Sequence, residues 1–167
     1  FRDYRGGGRS SARETVGRVA AGAIAKKLLA RKRIKIIGYT KQIGPYIAER
    51  MDFKQIEKNI VRCPDKIIAQ KMIDHVLNAR KKGDSVGGVV ELVVKGVQAG
   101  LGDPVFDRLD ADLAKAMMSI PAVKGIEVGV GFGAATMYGS ECNDPYTAKG
   151  KRITTKTNHA GGIHGGI

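Results

Sequence analysis

Three glycines, two serines and three arginines fall within nine residues, in the run Arg5-Gly6-Gly7-Gly8-Arg9-Ser10-Ser11-Ala12-Arg13. Consecutive glycines let a backbone take left-handed angles and come close to a ligand. The run directly precedes a helical pattern. Free N–H groups at a helix start, together with the positive end of its dipole, form an anion site. Ser10 and Ser11 add hydroxyl donors, and Arg5, Arg9 and Arg13 add forked guanidinium donors suited to phosphate. The competing account is a flexible glycine linker before a capped helix, with three solvated arginines. Four independent features agree against it. A Walker A loop needs a lysine after its last glycine, so hydrolysis of a nucleoside triphosphate is disfavoured.

A second glycine-rich run closes the sequence, Asn158-His159-Ala160-Gly161-Gly162-Ile163-His164-Gly165-Gly166-Ile167. Paired glycines with interleaved isoleucine suggest backbone pressed against something flat. Histidine side chains can move protons or bind a metal, but the five-residue spacing of His159 and His164 without a nearby Cys or carboxylate does not make a metal site. Their roles stay open, and no metal is expected. The carboxylates Asp103, Asp107, Asp110 and Asp112 could hold Mg²⁺ or do acid–base work. With Arg108 among them, capping a helix is the simpler reading. The run Gly129 to Ala134 only loosely matches a dinucleotide fingerprint, because neither a following helix nor a well-spaced acidic residue supports it. Cys63 precedes Pro64 and has no evident His partner, which argues against a catalytic thiol, and His75 reads as structural.

The elements that position these groups follow from periodicity. A helix is expected from about Ser11 to Arg31, with Val16, Val19, Ala20, Ala23, Ile24 and Leu28 as one stripe and Ser11 with Glu14 as a capping box. Ile34 to Ile43 reads as a β-branched strand ended by Gly44 and Pro45. A short helix spans Asp52 to Asn59. Asp65 caps a longer one that stops at Lys81-Lys82-Gly83. Val86 to Val97 is a Val-rich strand. A helix over Phe106 to Ile120 has Leu109, Leu113, Met117 and Ile120 as its buried stripe, Ile126 to Val130 is a further strand, and loop with brief strands follows. The alternation supports a mixed α+β or α/β arrangement.

The chain has 167 residues and 43% hydrophobic content, enough for one domain with a core. Aromatic residues are only 5%, with no Trp, so an aromatic platform for single strands is excluded. The two cysteines cannot form a disulfide scaffold, and free thiols fit a reducing compartment. With no run of 18 apolar residues, a soluble, cytoplasmic protein without a membrane partner is expected. The net charge is +13, with +10 of it in residues 1–50. A basic excess at one end suggests a local anionic partner.

Residues 1–27, 99–132 and 158–167, read together, closely resemble chorismate synthase, in that family's order and at compatible spacing. The RGGGRSSARE segment is the most specific part. The resemblance implies an α+β fold, with helices packed between antiparallel β-sheets. It further implies a single core domain over residues 1–167, truncated at both ends relative to the family. The reaction implied is a 1,4-anti elimination of phosphate from 5-enolpyruvylshikimate 3-phosphate to give chorismate, in aromatic amino acid biosynthesis. It requires reduced FMN, which is thought to lend electron density as phosphate leaves. On matching positions Arg9, Ser10, Ser11, Pro121, Ala122 and Gly165 would lie at the flavin, and Arg13 would face the substrate phosphate. Full-length members are homotetramers.

No catalytic residue of the family falls on this sequence. Its two catalytic histidines belong to segments preceding Phe1, and its Lys-Pro-Thr-Ser-Ser segment and a late Asp would follow Ile167. The stretch from Tyr146 to Lys156 does not match the family confidently. The expectation is a flavin-binding core with weak or no turnover alone. A basic nucleic-acid-binding module is the alternative from another functional class.

Overall fold

The computed structural model describes residues 12–150 and 152–167. Their helices and antiparallel sheets make an α+β fold, as expected. Two compact units form, one from Ala20–Val97 and one from the described residues up to Val19 with Gln98–Ile167.

In the Ala20–Val97 unit, strands β1 (Lys35–Ile43), β2 (Tyr46–Ile47) and β3 (Gly88–Lys95) form an antiparallel sheet in the order β2-β1-β3. The β1–β3 register runs from Lys35 opposite Lys95 to Ile43 opposite Gly88, with a bulge between Thr40 and Gln42. A 3₁₀ turn, Phe53–Lys58, follows Asp52, whose side chain accepts from the Lys54 amide. Helix α2 (Lys66–Lys81) then buries Ala69 and Met72 against Ala48 and Cys63, with Ile43, Tyr46, Val61 and Ile68 packed around them.

Buried Asp65 links these pieces. Its Oδ1 accepts from the amides of Ile67 (3.0 Å) and Ile68 (3.2 Å), and its Oδ2 from Arg50 (3.0 Å) and Glu49 (3.4 Å). One carboxylate thus caps α2 and fixes the segment leaving β2.

Helix α1 (Thr15–Arg31) is preceded by a 3₁₀ turn, Ala12–Glu14, and the division between units falls within it. The expected cap at Ser11 lies outside the described residues. The stripe of α1 stands in the open, with Val16, Val19, Ile24 and Leu28 all exposed.

The other unit contains α3 (Leu109–Met118), a 3₁₀ turn (Gly131–Thr136), α4 (Gly139–Cys142) and the antiparallel pair β4 (Tyr146–Lys149) and β5 (Arg152–Thr155). Three expectations fail here. The third helix begins at Leu109 rather than Phe106, because the Asp103 amide donates to the Asp107 carbonyl and closes a turn first. Its stripe is not buried, since no described residue of α3 is. Ile126 to Val130 is not a strand. Gly129 and Gly131 take positive φ, and the Val130 amide donates to the His159 carbonyl at 2.8 Å instead of to a sheet neighbour.

Candidate functional site

The start of α1 and the turn after α3 meet through one side chain. Arg18 Nη1 donates to Ser119 Oγ at 2.7 Å and Nη2 to the Ser119 carbonyl at 3.0 Å, across 101 residues. Ser119 closes α3, and its hydroxyl donates to the Ala116 carbonyl at 2.6 Å. The guanidinium therefore grips a helix end whose carbonyls lack intrahelical donors. Ile120, Pro121 and Ala122 follow at once. Pro121 and Ala122 are exposed, and Ala122 holds φ at +67°, a left-handed angle uncommon for a residue with a side chain. Arg13 lies exposed in the 3₁₀ turn before α1. Arg9, Ser10 and Ser11 lie outside the described residues.

Gly165 reaches the opposite end of α3. The amide of Leu109, first residue of that helix, donates to the Ile167 carbonyl at 3.1 Å. Gly161, Gly162, Gly165 and Gly166 all take positive φ, and nothing lies within 4 Å of where a Cβ of Gly165 would stand. The backbone there is open to a flat group. Gly129 and Gly161 do the reverse, since a Cβ on Gly161 would sit 2.5 Å from the Gly129 amide nitrogen. Glycine here permits two backbones to touch.

Sequence reasoning missed Asp144, which organises the last run. Its Oδ1 accepts from Thr157 Oγ1 (2.5 Å) and the His159 amide (2.7 Å), and its Oδ2 from the Ala160 amide (2.9 Å). The Thr157 hydroxyl, the two amides and the nearby His159 hold its pKa down to about 2. Asn143-Asp144-Pro145 is a turn-like triplet, the one local signal that could have marked it. Arg18 and Ser119 carried none, because their pairing depends on distant chain segments.

The remaining groups make contacts within the fold. His159 Nδ1 lies 3.2 Å from the Cys142 carbonyl, and its backbone is used on both sides. His164 Nδ1 lies 3.4 Å from the Tyr146 hydroxyl. Arg108 forms a two-pronged pair with Asp110, at 3.1 and 2.8 Å. His75 packs edge-on against Tyr46, ring centroids 5.5 Å apart. Burial pushes the Cys63 thiol above its ordinary pKa, the opposite of nucleophile activation. Among the described residues no group of three or more His, Cys, Asp or Glu could hold a metal ion, and no helix is long and apolar enough to cross a membrane.

Fold and site together define an α+β protein that presents glycine-rich backbone and a pinned turn at the two ends of one helix. The family model for chorismate synthase matches residues 1–167, and the chain belongs to that family. It is 59% identical to chorismate synthase of Methanosarcina barkeri, over 100% of this chain and 47% of that one. It is 56% identical to that of Chloroflexus aggregans, over 100% of this chain and 46% of the relative. A crystal structure of chorismate synthase superposes with a TM-score of 0.86 at 35% identity, over 95% of this chain and 52% of the other. The chain spans about half the length of the curated relatives it matches.

Proposed function

We propose that this chain is the flavin-binding portion of a chorismate synthase, holding reduced FMN for the elimination of phosphate from 5-enolpyruvylshikimate 3-phosphate. The observation that carries the reading is the Arg18–Ser119 clamp, which brings the start of α1 to Pro121 and Ala122. The start of α1 and the turn after α3 are remote in sequence, and a shared ligand gives a reason for joining them.

The residues present fit the cofactor. Ten residues of α3 separate the Pro121–Ala122 turn from the Gly165 segment, about 15 Å of helix at 1.5 Å per residue. A ligand touching both must be elongated, and FMN is, with a ring at one end and a phosphate at the other. Arg9, Ser10 and Ser11 would supply charged and hydroxyl donors to an anionic oxygen. Pro121, Ala122 and Gly165 would offer backbone with little side chain in the way. Arg13 would face the substrate phosphate. When bound, reduced flavin supplies the electron density that the departure of phosphate calls on. The protein's part is to hold both anions and to keep water away. The working form would be a cytoplasmic homotetramer of full-length chains, and turnover by this chain alone would be weak or nil.

Anaerobic titration of reduced FMN, and aerobic titration of oxidised FMN followed by fluorescence, test the reading. Replacing Arg9 and Ser10 together with Ala removes charge-assisted donors, each contributing about 1.5–3 kcal/mol, so affinity should fall roughly a hundredfold or more. Far-ultraviolet circular dichroism should stay the same. Unchanged affinity would remove the site. Binding of nucleic acid with steep salt dependence and no flavin requirement would favour the alternative class.

A further inference from the structure

Asp144 sits where the β4–β5 ladder ends. Tyr146 pairs with Thr155, the Lys156 amide donates to the Pro145 carbonyl at 2.9 Å, and the next residue, Thr157, donates its hydroxyl to Asp144. The carboxylate then takes the amides of His159 and Ala160 and turns the chain out of the hairpin. Three donors on two oxygens leave this corner little freedom.

We propose that Asp144 is a positioning residue, whose carboxylate fixes the Thr157–Ala160 corner and so sets where the following glycine-rich backbone meets the cofactor. The inference rests on the flavin reading above. The segment beyond the corner is anchored at both ends. Asp144 holds the near end, helped by the Val130 amide on the His159 carbonyl, and the Leu109 amide holds the far end at Ile167. Between these anchors, two short turns are closed by Ile163 onto Ala160 and by Ile167 onto His164. Gly165 lies in the second, with its backbone open. A segment with so much glycine has little stiffness of its own, so the direction it leaves the corner decides where Gly165 arrives. His159 belongs to the same device, because its amide donates to the Asp144 carboxylate, its carbonyl accepts from the Val130 amide and its Nδ1 lies 3.2 Å from the Cys142 carbonyl.

Asp144→Asn in the 167-residue chain tests this. Its amide group puts a donor where the His159 or Ala160 N–H requires an acceptor. Hydrogen exchange at those two amides should accelerate at least tenfold, while Met72 and Ala69 in α2 keep their protection. FMN should bind about tenfold more weakly, the loss expected for roughly one hydrogen bond's worth of misplacement. At saturating FMN the visible circular dichroism of the bound flavin should change, which a loss of stability alone would not cause. Thr157→Val removes only the hydroxyl and should give a smaller change of the same kind; it decides the matter if Asp144→Asn does not fold. Wild-type binding with unaltered affinity and flavin spectrum in both variants overturns the positioning role and leaves the flavin reading intact. If the wild type binds no flavin, that reading fails. The exchange data then judge the corner separately: accelerated exchange upholds it, and unaltered exchange overturns it.

Discussion

Arg18 joins the start of α1 to the end of α3 through one exposed side chain. Its contact with Ser119 is solvent-accessible, so its contribution to folding should be small, about 0.5–1 kcal/mol. Its two donors nonetheless place Pro121 and Ala122 beside the start of α1. Arg18→Ala should therefore weaken FMN binding about tenfold while shifting Tm by no more than roughly 4 °C. Arg18→Lys keeps the charge but loses the fork, and should restore only part of the affinity. Parallel fluorescence titrations and thermal melts check both. Wild-type affinity in Arg18→Ala would mean that the clamp does not serve the flavin. The opening run stands out in the sequence by its composition, since each residue type there suits an anion. The clamp could not, because an arginine on a helix and a serine 101 residues away carry no mutual signal until the chain is folded.

At the scale of elements, legibility followed local physics. Helix α2 was visible because its cap, its stripe and its stop signal all lie within about 20 residues. Strands β1 and β3 were visible as β-branched runs bounded by glycine. Ile126 to Val130 misled, because alternating apolar residues look like a strand until Gly129 and Gly131 bend the backbone and His159 takes the Val130 amide. The stripe of α1 was real as periodicity, but periodicity does not say what covers it.

Asp65 gives the sharpest prediction at this scale. Burial alone would raise its pKa, yet the amides of Arg50, Ile68, Ile67 and Glu49 outweigh burial and hold it below the ordinary carboxylate value. A group depressed in the fold stabilises it above the unfolded pKa, near 3.9, and that contribution disappears as pH falls through the folded value. Denaturant melts of the Ala20–Val97 unit should thus lose stability below about pH 4. Asp65→Asn should flatten that slope and cost roughly 2–3 kcal/mol at neutral pH, from the lost cap and the unsatisfied buried amides. An unaltered acid slope in the variant would assign the acid sensitivity to other carboxylates.

For the molecule as a whole, the distribution of apolar surface sets the expectation. Among the described residues, the buried hydrophobic side chains all belong to the Ala20–Val97 unit. On the same sheet, Val90, Leu92 and Val94 share one face of β3 and remain 70%, 48% and 45% exposed. That face lies over Thr40, Gly38 and Ile36 of β1, with Leu92 filling the space above Gly38. Strand β3 is also an edge, so its unpaired backbone adds to the hazard. Covering the three side chains would contribute several kcal/mol at about 25 cal/mol per Å², and the curated relatives have about as much chain again with which to do it. In isolation the 167-residue chain should bind a hydrophobic dye and self-associate as concentration rises. Replacing Val90, Leu92 and Val94 with Thr puts β-branched side chains, which suit a strand, at all three positions while making the face less apolar. The triple variant should suppress dye binding and association, as read by fluorescence and sedimentation, without lowering Tm. A wild-type chain that stays monomeric and dye-silent at high concentration would show that this face is already covered in solution.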